Sequence, residues 1–217
     1  MKKIINKRPL KPKYWILCEG ETEECYFSIV KELKLLWVQI QIKKIGQLPW
    51  NNKKRIMWEK KKIDYSDKEL KETASKVFFI LDADVYSQQE IDEQRRLLET
   101  DNIHLLYSNK NFELRILLHL EKYAKEGDNY IREIKKHKRN YEKWKSSSTR
   151  TILKDLIQNN LKDAISNSEN LEKINKGISN LSEKNPYTLV YKLFSDHSKS
   201  TPASSQSSSQ TQSNTSF

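Results

Sequence analysis

Tyr14-Trp15-Ile16-Leu17-Cys18-Glu19-Gly20-Glu21-Thr22-Glu23-Glu24-Cys25-Tyr26-Phe27 decides how the rest of the chain is read. Residues 14–18 form a continuous apolar run of the kind that a parallel sheet covers on both faces. Gly20 permits a tight turn from strand to helix. Tyr26, Phe27, Ile29, Val30, Leu33 and Leu36 then recur at helical spacing, which predicts a helix from about Thr22 to Leu36. In open α/β sheets, ligands bind beyond the carboxyl ends of the strands. Glu19, Glu21, Glu23 and Glu24 crowd at such an end, on a chain with 40 Lys+Arg, 29 Asp+Glu and a net charge of +11. That concentration of acid on a basic chain points to a divalent metal.

Two other apolar runs end in a similar way. Val77 to Leu81 leads into Asp82-Ala83-Asp84, and Ile103 to Tyr107 leads into Ser108-Asn109, with Glu113 close behind. Trp37 to Ile45 reads as a further strand. Ser66-Asp67-Lys68-Glu69 and Ser87-Gln88-Gln89-Glu90 are capping boxes, the second opening a helix to about Asp101. An apolar helical pattern covers Asn111 to about Lys125. Alternating strands and helices predict a parallel sheet with right-handed crossovers.

Parallel strands point the same way, so Glu19 and Glu23, Asp82 and Asp84, and Asn109 and Glu113 are expected at one edge. Asp82 and Asp84 would share a side if the strand continued through them. An all-oxygen ligand set without His or Cys suits Mg²⁺ or Mn²⁺. Such an ion can polarise a phosphodiester and activate water. Glu19 can serve as general acid/base if neighbouring carboxylates raise its pKa. Each motif also has a plainer reading. Glu21, Glu23 and Glu24 favour a helix start through the backbone dipole, and Asp-x-Asp after a strand is often only a loop and cap.

The flanking chain is basic. Residues 1–13 read as a flexible arm with six Lys/Arg and no acid. Lys53, Lys54 and Arg55 lie between Trp50 and Trp58, an arrangement that fits nucleic-acid binding or docking of the tryptophans on the sheet. Tyr130 to Lys145 reads as one basic helix, with Arg132, Lys135, Lys136, Lys138 and Arg139 as nucleic-acid contacts among Tyr130, Tyr141 and Trp144. Residues 149–182 read as further helices, with a new start at Ser166-Asn167-Ser168-Glu169. Asn185-Pro186-Tyr187-Thr188 reads as a turn, and Leu189 to Phe194 as a last apolar piece. From 195 to 217 the composition is Ser/Thr/Gln-rich, which predicts disorder. The expected organisation is an arm (1–13), an α/β catalytic domain (14–126), a helical part packing on it (127–194) and a tail (195–217).

Cys18 and Cys25 do not suggest a disulfide framework, and no second Cys/His pair supports zinc. No apolar run reaches the length of a membrane span, and there is no signal-peptide core. A reducing cytoplasm is the expected setting.

These motifs resemble a known family. An acid after strand one and Asp-x-Asp after a later strand resemble the Toprim fold of topoisomerases, primases and OLD-type nucleases. More closely, the chain is similar to the RloB family of prokaryotic defence proteins, which carry a Toprim-type domain. Cys18-Glu19-Gly20-Glu21-Thr22-Glu23-Glu24-Cys25-Tyr26-Phe27 follows that family's C-E-G-x-T-E-x-x-Y-F, and Leu81-Asp82-Ala83-Asp84 its aspartate pair. Ser108-Asn109-Lys110-Asn111-Phe112-Glu113-Leu114, running to Leu117-Leu118-His119, resembles its S-N-P-x-F-E-x-W-L-L-L-H, and Asn185-Pro186-Tyr187-Thr188 its late N-P-x-T. Lys110 stands where the family usually has proline, and Arg115 where it often has tryptophan.

The resemblance implies Glu19 as general acid/base, Asp82 and Asp84 as metal ligands, and Glu23 and Glu113 as supporting ligands. Asn109 is expected as a turn residue, and His119 as a satisfied core histidine. The resemblance further implies abortive-infection defence, with an AAA-type or ABC-type ATPase as partner. The expected function is a Mg²⁺- or Mn²⁺-dependent nuclease acting on DNA or RNA. The alternatives are a basic nucleic-acid-binding module or an ATPase-docking module on a degenerate Toprim scaffold.

Overall fold

The computed structural model describes residues 12–46, 75–123, 125, 129–142 and 147–195. Most of the basic arm, the 47–74 segment with Lys53, Lys54, Arg55, Trp50, Trp58 and the Ser66 capping box, and the 196–217 tail lie outside these residues.

β1 (Lys13–Cys18) is followed by α1 (Glu21–Glu32) and β2 (Gln39–Lys44). β3 (Lys76–Asp82) passes through a 3₁₀ turn, Ala83–Val85, into α2 (Gln88–Leu98) and β4 (Ile103–Asn109). The strand order is β2-β1-β3-β4, all parallel, with β5 (Tyr187–Thr188) added antiparallel to the end of β4. The fold is therefore α/β with a mostly parallel sheet. β1 and β3 are neighbours, and the chain leaves them in opposite directions, β1 towards β2 and β3 towards β4. The crevice beyond their carboxyl ends is thus the topological switch point.

The apolar runs account for the central strands. From Val77 to Leu81 every side chain is buried, as a strand covered on both faces requires. Ser87 caps α2 with the expected box, its hydroxyl accepting from the Glu90 N–H while the Glu90 carboxylate accepts from the Ser87 N–H at 2.8 Å.

Several elements differ from their sequence reading. α1 stops at Glu32, because Leu33 caps it and Lys34 adopts a positive φ of 52°. The 111–125 helix contracts to α3 (Glu113–Leu117), and the backbone of 118–120 continues as turns bonded to residues 114–117. The basic helix is α4 (Tyr130–His137), ending at Lys138. α5 (Ser147–Ile174) runs straight through Ser166, where a new start was expected. Its break falls instead at Asn160, whose φ of −121° is non-helical. Lys13, assigned by sequence to the arm, begins β1.

The proline turn also proves to do more than reverse the chain. After the cis Asn185–Pro186 bond, Tyr187 and Thr188 pair with Asn109 and Ser108, and the Ser108 and Thr188 hydroxyls lie 2.9 Å apart. A short α6 (Lys192–Ser195) follows. One hydrophobic core runs from Tyr14 to Phe194, joining the sheet to α4 and α5. On the surface of that contact, Glu32 of α1 receives Arg150 at 2.8 Å and Lys154 at 2.6 Å from α5.

Candidate active site at the carboxyl edge of the sheet

The acidic cleft is assembled by three chain crossings of one sheet edge. Glu19 follows β1, Asp82 ends β3, and Glu113 opens α3 just beyond β4. Glu19, Gly20, Glu23, Asp82, Asp84 and Glu113 all line a cleft of about 450 Å³, together with Thr22, Glu21, Val85, Asn111 and Phe112. The five carboxylates expected as catalytic or metal-binding residues therefore share one opening. Asp84 reaches it by a different route from the one expected. The strand ends at Asp82 and a 3₁₀ turn follows, so strand alternation does not place the two aspartates. Asp82 is half-buried within the cleft, and Asp84 is exposed at its rim.

Glu19 is gripped from one side. Its Oε2 accepts the Asp82 backbone N–H at 3.1 Å, and its Oε1 accepts the Tyr86 hydroxyl. Glu23, the third residue of α1, is only 3 % exposed. Its carboxylate reaches back to the Gly20 N–H, one half of a capping box. Gly20 belongs here for a reason beyond turn geometry: a Cβ at that position would lie 2.6 Å from Glu23 Oε2.

The carboxylates load one another electrostatically. Burial raises the Glu23 carboxyl to about 7, the charges of Glu113 and Glu19 add to the rise, and the backbone N–H groups of residues 23 and 20 oppose it. Burial likewise pushes Asp82 well above the ordinary range, followed by repulsion from Glu23, Glu19, Glu113 and Asp84. Asp84 is raised by loss of hydration, against its own backbone N–H and the Lys110 cation. Asp82 Oδ1 and Asn111 Oδ1 are buried, and neither has a hydrogen-bond partner among the described residues.

These features bear directly on whether a divalent cation fits. The donor set is all oxygen, its charges repel, and two of its acceptors lack a donor, which is the chemistry a hard cation relieves. Among the described residues, no three His, Cys, Asp or Glu side chains form a ready-made metal cluster. Mg²⁺ does not require one, since it usually keeps several waters and takes only one or two carboxylates. The residues therefore fit such an ion in composition and electrostatics, and the orphaned Asp82 Oδ1 is the oxygen best suited to receive it.

The other sequence expectations divide. Glu21 stands at the helix start and pairs with Lys44 at 2.8 Å. Asn109 is 4 % exposed and donates to Leu181 O at 3.2 Å and Lys184 O at 2.8 Å, so it anchors the strand end. His119 is buried between the Tyr26 hydroxyl, 3.2 Å from Nε2, and Arg115 O, 3.0 Å from Nδ1. Burial, and then the Arg115 charge, lower its pKa to about 3, so it stays neutral.

Of the basic set, Arg132, Lys135 and Arg139 are exposed on or just after α4, which packs on α3 beside the cleft. Lys136 is paired with Glu133, and Lys138 with Asp155 at 3.2 Å. Tyr130 and Tyr141, read as aromatics interleaved with that charge, are instead core residues. Lys53, Lys54 and Arg55 lie outside the described residues.

The sequence reading assigns Tyr86, Asn111 and Tyr141 no part in the site. The Tyr141 hydroxyl is buried without a hydrogen-bond partner among the described residues, and burial and the nearby charge of Glu113 raise its pKa. Only the folded arrangement brings these groups to the acids.

Fold and cleft together define a class: an open α/β domain with a carboxylate-lined crevice at its switch point and a basic helix alongside. The RloB-like protein family profile matches residues 14–196, and the chain belongs to that family. No curated protein and no solved structure matches it. No helix among the described residues is long and apolar enough to cross a membrane.

Proposed function

We propose that this RloB-like protein is a Mg²⁺- or Mn²⁺-dependent Toprim-type nuclease of antiviral, abortive-infection defence, restrained or triggered by an AAA- or ABC-type ATPase partner. The observation that carries the reading is the convergence of Glu19, Glu23, Asp82, Asp84 and Glu113 on one cleft at the sheet's switch point. Asp82 and Asp84 hold the cation, and Glu19, Glu23 and Glu113 support them. A bound divalent ion supplies charge neutralisation at the phosphodiester and a more acidic water. Glu19, with its carboxylate held in place, receives and returns the proton of the attacking and leaving groups. Arg132, Lys135 and Arg139 draw the polyanion to the α4 side of the cleft.

The test is cleavage of plasmid, single-stranded DNA and tRNA with Mg²⁺, Mn²⁺ or EDTA, with and without a neighbouring ATPase. Glu19→Gln and Asp82→Asn should each abolish metal-dependent cleavage while leaving the fold intact. Retained cleavage in both variants overturns the reading.

One observation favours a second reading. The exposed Arg132, Lys135 and Arg139 beside the cleft also suit a nucleic-acid-binding module without catalysis. That reading predicts salt-sensitive binding that is indifferent to EDTA, and no cleavage under any metal.

A further inference from the structure

We infer that Tyr86 is the positioning residue for Glu19. The inference rests on the metal-dependent reading of the cleft proposed above. The segment from Asp82 to Tyr86 contributes to the site twice. Asp82 and Asp84 present their side chains to the cleft, while the same segment's backbone and terminal tyrosine clamp the acid on the neighbouring strand.

The 3₁₀ turn makes the clamp possible. It folds the chain back within four residues of the strand end, and the Tyr86 N–H closes it on Ala83 O at 3.3 Å. Tyr86 is 8 % exposed and packed in the core, so its ring has little freedom to swing away. Its hydroxyl and the Asp82 N–H donate to different oxygens of the same carboxylate. A carboxylate has about four acceptor positions. One donor on each oxygen fixes the plane of the group. Glu19 is thereby held in one orientation towards the cleft. Groups that orient a ligand or base in this way commonly affect metal affinity or activity by about 10–100-fold.

The test uses the full chain and reads Mn²⁺ binding directly, from the electron paramagnetic resonance signal of free Mn²⁺, alongside thermal melting without metal. Tyr86→Phe keeps the ring and removes only the hydroxyl. It should weaken Mn²⁺ binding about tenfold and, where cleavage is measurable, lower kcat with KM little changed. Tyr107→Phe is the control, since it removes a different buried phenol hydrogen bond, to Gln94, away from the cleft. It should cost comparable melting temperature and leave Mn²⁺ affinity at the parental value. Glu19→Gln and Asp82→Asn are measured beside them. If Glu19→Gln loses Mn²⁺ affinity while Tyr86→Phe binds like the parent, the positioning role is overturned and the reading of the site stands. If Glu19→Gln binds Mn²⁺ like the parent, Glu19 is not a ligand and the Tyr86 role is overturned; if Asp82→Asn does so too, the metal-dependent reading fails as well.

Discussion

A methyl group on Gly20 would sit 2.6 Å from Oε2 of Glu23. The first acidic motif is therefore a pair of fitted positions, in which the missing side chain of one residue makes room for the carboxylate of another. Gly20 has a φ of −116°, which any residue can adopt, so the requirement is for space and not for backbone freedom. Gly20→Ala should displace the Glu23 carboxylate and weaken Mn²⁺ binding by about tenfold, the scale of a misoriented ligand. Melting should fall by only a few degrees, because the displaced atom is the end of a side chain. Unchanged Mn²⁺ affinity would show that Glu23 is a helix-capping residue alone.

The shifted acids make stability depend on pH in an unusual direction for carboxylates. Glu23 rises from 4.5 to about 7 in the folded protein, and Asp82 moves upwards as well. Between those values the folded chain holds a proton that the unfolded chain has released, so stability falls as pH rises through the window. Metal-free protein should melt at progressively lower temperature from about pH 5 to pH 7.5. Glu23→Gln should flatten that slope and raise the melting temperature at neutral pH. A melting temperature that climbs across this range would contradict the buried, mutually repelling arrangement.

Salt dependence separates the exposed cations from the paired ones. Arg132, Lys135 and Arg139 are exposed, whereas Lys136 and Lys138 engage Glu133 and Asp155. Each phosphate contact contributes about 0.9 to the slope of log affinity against log salt on duplex DNA. Alanine at Arg132, Lys135 and Arg139 together should lower that slope by about 2 to 3. The Lys136 and Lys138 double variant should change it by less than one. Equal effects in the two variants would remove the distinction.

Arg115 offers a stability prediction independent of function. Its guanidinium is fully buried, donating to Tyr26 Oη at 3.3 Å, Ala164 O at 2.8 Å and Ser168 Oγ at 3.1 Å, with no carboxylate partner among the described residues. Arg115→Ala leaves a cavity and should cost about 2–5 kcal/mol in urea unfolding. Arg115→Met should cost much less. Ala164 O keeps the Ser168 hydroxyl at 2.7 Å and Tyr26 keeps His119 at 3.2 Å, so the neighbours stay satisfied while the thioether fills the space. Equal losses for the two variants would mean the guanidinium's hydrogen bonds, and not its volume, hold α3 to α5.

The parts that could be read in sequence are those in which neighbouring residues decide the structure. The apolar runs of β1, β3 and β4, and the Ser87 capping box, carry their own signal. The order of acids at strand ends was legible too, because parallel strands leave little choice of edge. What escaped depends on contacts between distant residues. Nothing local separates Tyr86 from any tyrosine four positions past a strand until its hydroxyl meets Glu19. Tyr130 and Tyr141 look like parts of a basic surface until the fold turns them into the core. The Ser166 pattern has a helix-start composition, yet it lies inside α5, where Ser168 bonds Arg115 and Ala164 O and so serves packing instead of capping.

Asn109 gives the fold a temporal property. The strand that ends beside the cleft is tied down by backbone carbonyls 72 and 75 positions further along the chain, and its last ladder pairs belong to Tyr187 and Thr188. Domains form from the amino terminus as the chain emerges from the ribosome. Every acidic residue of the cleft is therefore out and able to fold well before the segment that finishes β4 has been made. A protein proposed to cut nucleic acid thus completes its working edge only after synthesis has passed Thr188.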